Sequence, residues 1–309
     1  MDAGPERSGA LARLIVGGDS LLHDQLQGLA ARRMIFFAGL AGTGKSLLTH
    51  QLTHLAYAAG RTVHLLQWDV ARPVFEASDA GARYPLQDGV SHGVIRRALG
   101  LWARVAIVEW TARHPGPEHL LIGETPFVGH RFIELARRAD DAAEPLLSAP
   151  SCRFAIPVPS REVREFLEAE RDRRAAHPLH AQEREDAPPR VLRDLWRALA
   201  DVARTTGLAA PDIGGADGSD QARDPATQVP YDPLVYRRVY EALLKHRHTD
   251  VVPLDTILPT GAFSVYDFAV ARQDLAPTPV EAARFIHEVE ARYPDLDALE
   301  REIARWWVV

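Results

Sequence analysis

Lysine is nearly missing from this chain of 309 residues: only Lys45 and Lys245 occur, and arginine supplies the other 34 of its 36 basic residues. Cysteine is scarcer still. Cys152 stands alone, which excludes an internal disulfide and any cysteine-rich metal site, and a buried small apolar role suits it best. The 13 histidines form no H-E-x-x-H or similar ligand pair, so a zinc site is not expected. No apolar run approaches the roughly 20 residues that cross a bilayer, and Asp2, Glu6 and Arg7 ahead of a short apolar stretch do not make a signal peptide. With a formal net charge of -6, a general nucleic-acid binder is disfavoured too. A soluble, cytoplasmic protein with neither membrane nor nucleic acid as partner is the expectation.

Against that background the placement of Lys45 is informative. It closes the run Gly39-Leu40-Ala41-Gly42-Thr43-Gly44-Lys45-Ser46, directly behind the apolar stretch Met34 to Ala38. The pattern G-x-x-x-x-G-K-[ST] lets consecutive backbone N–H groups curl around phosphate oxygens, which Cβ-bearing residues would obstruct. Lys45 is then expected to reach the β- and γ-phosphates, and Ser46 to ligate Mg²⁺. Gly39, Gly42, Thr43, Gly44, Lys45, Ser46 and Leu47 are the expected nucleotide contacts, with the positive end of the following helix aimed at the same anion. A turn that binds nothing is the plainer alternative. The strand before and the amphipathic helix after (Leu47, Leu48, Leu52, Leu55) argue for the functional one.

Periodicity then sets the architecture. Gly60 ends the loop helix and Thr62 to Trp68 is a second strand finishing at Asp69, which makes a βαβ unit. A long helix follows over Val90 to Arg113, then a strand from His119 to Ile122 ending in Gly123-Glu124, a helix carrying Phe132, Ile133, Leu135 and Ala136, and a strand from Phe154 to Val158. Ser160 caps a charged helix to about Ala176, His177 to Pro189 is read as a mobile connection, and a helix runs from Arg190 to Thr206. Gly207 to Pro230 is read as a flexible insertion, Leu234 to His246 as a helix and Asp250 to Leu254 as the last strand, with two helices closing the chain. The expected fold is α/β: a doubly wound, mainly parallel five-stranded sheet with a helical lid. Its expected parts are a helical segment (1–33), a nucleotide-binding core (34–160), arginine-rich lid helices with the insertion (161–249), and a last strand with helices completing the core (250–309).

Ligands of such sheets bind beyond the carboxyl ends of the strands, so the residues there are the candidates. Asp69 would accept a proton from a substrate hydroxyl and Arg72 would hold an anionic group, where the bland alternative is a helix cap and a solvated arginine. Glu124 would hold a metal-bound water or orient a nucleophile, against a plain helix N-terminal acid. Arg164, Arg171 and Arg174 share one face of the charged helix, from which an arginine would stabilise a transferring phosphoryl group, although most of that helix reads as solvated ion pairs.

The order of these parts resembles the P-loop kinases of nucleotides and small metabolites, over Met34 to roughly Tyr293. Asp69 and Arg72 resemble the acceptor region of adenylylsulfate, gluconate and zeta-toxin-like kinases, and the strand Phe154 to Val158 with its arginine-rich helix is similar to their lid. The resemblance implies Mg²⁺ and ATP, Asp69 on the acceptor hydroxyl of a small molecule or nucleotide, and arginines among Arg171, Arg173 and Arg174 closing over ATP. A regulatory NTPase without a small-molecule acceptor is the alternative. A GTPase is disfavoured because Lys245 precedes His246-Arg247 and so makes no N-K-x-D motif, and no Asp-Glu pair ends the third run as a motor would require.

Overall fold

The computed structural model describes residues 9–209, 229–261 and 263–309. Six strands form one sheet: β1 (Met34–Ala38), β2 (Thr62–Gln67), β3 (His119–Thr125), β4 (Cys152–Pro159), β5 (Thr249–Leu254) and β6 (Arg272–Asp274), in the spatial order β5-β4-β1-β3-β2-β6. Every neighbouring pair is parallel. All five residues of β1 are buried, as a central parallel strand covered on both faces requires.

Alternation along β1 builds two cores. Ile35 and Phe37 pack with Leu48, Leu52 and Leu55 of α2 (Lys45–Ala58), while Met34, Phe36 and Ala38 face α4 (Gly93–Arg113) with Ile95, Leu99 and Trp102. Helix α1 (Leu21–Ala30) joins α2 on its side of the sheet. Gly123 has a packing reason to lack a side chain: a Cβ there would stand 2.4 Å from the Phe36 ring. The remaining helices are α3 (Trp68–Ala77), the short α5 (Glu144–Leu147), α6 (Arg161–Ala176), α7 (Pro189–Thr205), α8 (Pro233–Leu243), α9 (Pro279–Arg292) and α10 (Leu296–Ala304). Among the described residues no helix is long and apolar enough to cross a membrane.

Four expectations need correction. The sheet has six strands rather than five; β6 is exposed at all three residues, so its Arg-Gln-Asp sequence carries no apolar signal, as is common for edge strands. Where a helix was expected at Phe132 to Ala136 there is one 3-10 turn, Ile133–Leu135, entered through Phe132 in the left-handed region. The His177 to Pro189 connection is built rather than mobile. His180 and Glu183 form a capping box on the 3-10 turn Ala181–Arg184, and Glu183 is buried. Finally, β2 stops at Gln67 and Glu124 lies inside β3 instead of after it. The expected insertion falls largely on residues 210–228, outside the described residues.

Candidate functional site

Gly39 to Ser46 links β1 to α2 at the carboxyl end of the central strand. Gly42 and Gly44 adopt φ values of +73° and +85°, and a Cβ on Gly39 would sit 2.5 Å from the Tyr236 hydroxyl and 2.7 Å from Thr43 Oγ1. Glycine is therefore demanded at each position by conformation or by space. Gly44 is the N-cap of α2 and gives it no side-chain cap, which leaves the first amides of that helix without a side-chain acceptor. Thr43 donates its hydroxyl to the Leu40 carbonyl at 2.8 Å and so closes the turn from inside.

Lys45 is buried, and its ammonium donates to the Leu40 carbonyl at 2.7 Å. Burial pulls its pKa down to about 8; Glu124 and Asp69 oppose that shift, and Arg171 and Arg164 add to it. Ser46 donates to Glu124 Oε2 at 3.3 Å, and Gln67 donates to Glu124 Oε1 at the same distance. Burial raises the Glu124 pKa above the usual carboxylate range against the pull of Lys45. A hydroxyl and a carboxylate held together beside a glycine loop are oxygen donors of the kind a hard divalent cation takes, so the residues present fit Mg²⁺.

Two cavities meet over Lys45 and Ser46. One, about 710 Å³, is a slot with Gly44, Leu47, Leu167, Phe263, Val265 and Tyr266 on its walls. The other, about 1400 Å³, is charged and carries Asp69, Arg72, Glu124 and Arg131. Arg171, Asp186 and Tyr266 belong to both walls and form the partition. Tyr266 donates to Asp186 at 2.6 Å, and Arg171 lies 3.4 Å from the same carboxylate.

Asp69 lies in the first turn of α3, and Gln67, not Asp69, is the cap of that helix. Pro73, four residues on, has no N–H to give the Asp69 carbonyl. Among the described residues the Asp69 carboxylate makes no hydrogen bond or ion pair, and it faces the charged cavity together with Lys45. Arg72 lines the same cavity but is already paired with Glu76 at 2.9 Å.

The residue that the sequence reading missed is Arg131. It sits on the loop after β3, where Phe127, His130 and Phe132 take φ values of 60°, 65° and 61° beside Gly129 at 71°. Three left-handed residues with Cβ atoms cost roughly 1 kcal/mol or more each, and such strain persists only where surroundings impose it. They do so here. All three side chains are fully buried, Phe127 and Arg131 exchange backbone hydrogen bonds, Tyr240 donates to the Pro126 carbonyl at 2.8 Å, and Arg96 donates to Gly129 at 2.7 Å. The product is a guanidinium delivered to the cavity with no hydrogen bond or ion pair among the described residues. Burial lowers its pKa, with Asp69 opposing and Arg72 adding. No residue-type pattern marks this loop except Gly129.

The arginines of α6 divide in their roles. Arg164 is 2 % exposed and donates to the Ala41 carbonyl at 2.8 Å while pairing with Glu168 at 2.9 Å, so it braces the glycine loop from outside both cavities. Arg174 is held by Glu170 at 2.8 Å and by the Thr260 carbonyl at 2.6 Å, which makes it a clasp on the slot. Arg173 is exposed and paired with Glu170. Only Arg171 faces both cavities, and its charge acts on Lys45.

Comparison of the chain with family models, with curated proteins and with solved structures gave no match.

Proposed function

We propose that the protein is a Mg²⁺- and ATP-dependent phosphotransferase acting on a hydroxyl of a small acceptor that carries an anionic group. The observation that carries this reading is the pair of cavities joined at Lys45 and Ser46: a slot with Leu47, Leu167, Phe263 and Val265 on its walls, and a charged chamber holding an unpaired carboxylate and an unpaired guanidinium. A hydrolytic switch needs only the first. Transfer needs both, with the acceptor's base on the same side as the lysine.

In this reading the base lies between Leu47, Leu167 and Phe263, and the phosphates run along Gly42 to Ser46 to the uncapped start of α2. Lys45 exchanges its bond to the Leu40 carbonyl for the β- and γ-phosphate oxygens. Ser46 and Glu124 would hold the cation, which would supply positive charge to offset that of the phosphates. Asp69 takes the proton of the acceptor hydroxyl, the freed oxygen forms the new bond to the γ-phosphorus, the bond to the β-phosphate oxygen breaks, and ADP leaves with that electron pair. Arg171, at the partition, faces the charge that develops between the two. Arg131 grips the acceptor's anionic group, a role that the Glu76 pairing takes from Arg72.

The test is a screen of anionic hydroxylated metabolites with γ-labelled ATP, repeated with Asp69→Asn. Label should pass to an acceptor and transfer should fall by roughly 10²–10⁴-fold in the variant while background hydrolysis persists. Hydrolysis that no acceptor stimulates, with Asp69→Asn indistinguishable from the parent, would favour the regulatory NTPase instead.

A further inference from the structure

At the opposite end of the strands, three histidines from different elements come together. His64 is the third residue of β2, His119 opens β3, and His114 ends α4. The register pairs Thr62 with His119, so His64 stands on the same face one diagonal step away, the face that α4 covers. His64 Nε2 and His119 Nδ1 are 3.1 Å apart, and one ring nitrogen from each of the three histidines lies within 4.8 Å of the others. Ring centroids separate by 4.4 Å (His64 to His114) and 4.6 Å (His114 to His119).

A tetrahedral ion with metal–nitrogen bonds of about 2.05 Å spaces its ligand atoms by about 3.4 Å. The His64 to His119 pair is already near that spacing, and the partly exposed His114 ring needs only a small rotation to join it. The second nitrogen of His119 supplies an independent sign. Its Nε2 lies 3.4 Å from Glu118 Oε1, a carboxylate placed where it would support His119 as a ligand through Nδ1. Trp110 walls the cluster edge-on at 5.5 Å from His64, with the Arg33 guanidinium 4.2 Å above the far ring.

We infer that His64, His114 and His119 form a binding site for a divalent transition metal of the zinc class, separate from the Mg²⁺ proposed at Ser46. Three imidazoles suit Zn²⁺, Co²⁺, Ni²⁺ or Cu²⁺, whereas Mg²⁺ takes oxygen. Along β3, the five steps from His119 to Glu124 span roughly 16 Å, which keeps the two cation sites apart. A cavity of about 500 Å³ bordered by His64, His114, Asp274 and Glu281 opens beside two of the three histidines. The ion would staple the end of α4 to the first residues of β2 and β3. The site has no local motif because its ligands come from three elements, not from one helix.

The full chain, stripped with chelator and titrated with Co²⁺, tests this. One equivalent of Co²⁺ should bind with the visible absorption of a tetrahedral nitrogen site, and Zn²⁺ should displace it. His64→Ala and His114→Ala should each abolish stoichiometric uptake, while Glu118→Gln should weaken it by roughly tenfold. His114 is the more exposed of the two ligands and guards against misfolding of the His64 variant, with far-ultraviolet circular dichroism as the check. Lys45→Ala must bind Co²⁺ like the parent. Failure of the parent to bind, unchanged uptake in a folded His114→Ala protein, or loss of uptake in Lys45→Ala would each overturn the proposal, and none of these depends on any phosphotransferase activity.

Discussion

Arg104 and Arg131 are both largely enclosed guanidiniums on the α4 side of the sheet, and they are treated in opposite ways. Arg104 bonds to Asp141 at 2.6 and 2.7 Å, to Glu144 at 3.0 Å and to the carbonyls of Glu134 and Arg137. Glu144 in turn accepts from Arg247, which also donates to the Leu135 and Arg137 carbonyls. Close by, Glu134 accepts from Arg97 at 2.8 Å and lies 2.6 Å from His130 Nε2. Every charge in that network has a protein partner, and its product is a fixed shape for the loop that follows β3. Arg131, carried by that loop, has none among the described residues. Arg131 lines an open cavity, where its guanidinium stays accessible to an anion that arrives from outside.

The largest effects should come from breaking the satisfied side. Glu144→Ala strips Arg104 and Arg247 of their shared carboxylate at once and should cost about 3–5 kcal/mol of stability, read as a large fall in Tm. An unchanged Tm would mean the network holds nothing. Acid should act on the same groups. Burial favours a raised pKa for both Glu134 and Glu144, but His130 and Arg97 overcome it for the first and Arg247 and Arg104 for the second, leaving each at about 2 instead of 4.5. A depressed carboxylate pKa means that the unfolded chain protonates first as pH falls. Stability present above about pH 4.5 is therefore lost between 4.5 and 2, and a melting series over that window should follow it.

On the unsatisfied side, Lys45→Met should lower phosphoryl transfer by about 10²–10³-fold, as the loss of one preorganised donor does. Its effect on stability should have the opposite sign. The lysine pKa is depressed from 10.5 to about 8, so protonation at neutral pH favours the unfolded chain, and removing the ammonium should stabilise the ligand-free protein by about 3 kcal/mol. A variant that loses activity and melts later would identify a charge kept for a ligand. One that melts earlier would show Lys45 to be structural.

That distinction also explains how much could be read in the sequence. The glycine loop, β1, α2 and the βαβ order were legible because glycine spacing and apolar periodicity are local signals; even Gly60, at φ +82°, ends α2 as expected. Asp69 and Glu124 stand out as candidates because strand ends are identifiable, although Glu124 lies within β3, and both line the same cavity as Lys45. Arg164 was grouped with Arg171 and Arg174 by helical spacing, which cannot tell a brace on Ala41 from a group facing a cavity. Arg131 escaped because its signal is the backbone conformation of Phe127, His130 and Phe132, residue types that do not announce a left-handed φ. Strand β6 escaped for a related reason: an exposed edge of three polar residues has no hydrophobic pattern to read.

The comparison sharpens if the cavity's unpaired arginine, Arg131, is separated from its paired one, Arg72. Arg131→Met should raise the KM for the acceptor by about 10–100-fold, the worth of a charge-assisted hydrogen bond, while leaving kcat and Tm near the parent values. An equal loss in kcat and no change in KM would place Arg131 on the transferring phosphate instead of the acceptor.

Arg72→Met should have the smallest effect. Its guanidinium is already committed to Glu76 one helical turn away, and both side chains are partly exposed, at 29 % and 21 %. Such a pair contributes about 0.3–0.5 kcal/mol, so Tm should scarcely move, and the acceptor KM should rise by less than about threefold. The double variant with Arg131→Met tests whether the two arginines share one anion. If they act separately their effects on KM multiply, whereas a loss no greater than that of Arg131→Met alone would show that Arg72 touches the acceptor only through the position Arg131 sets.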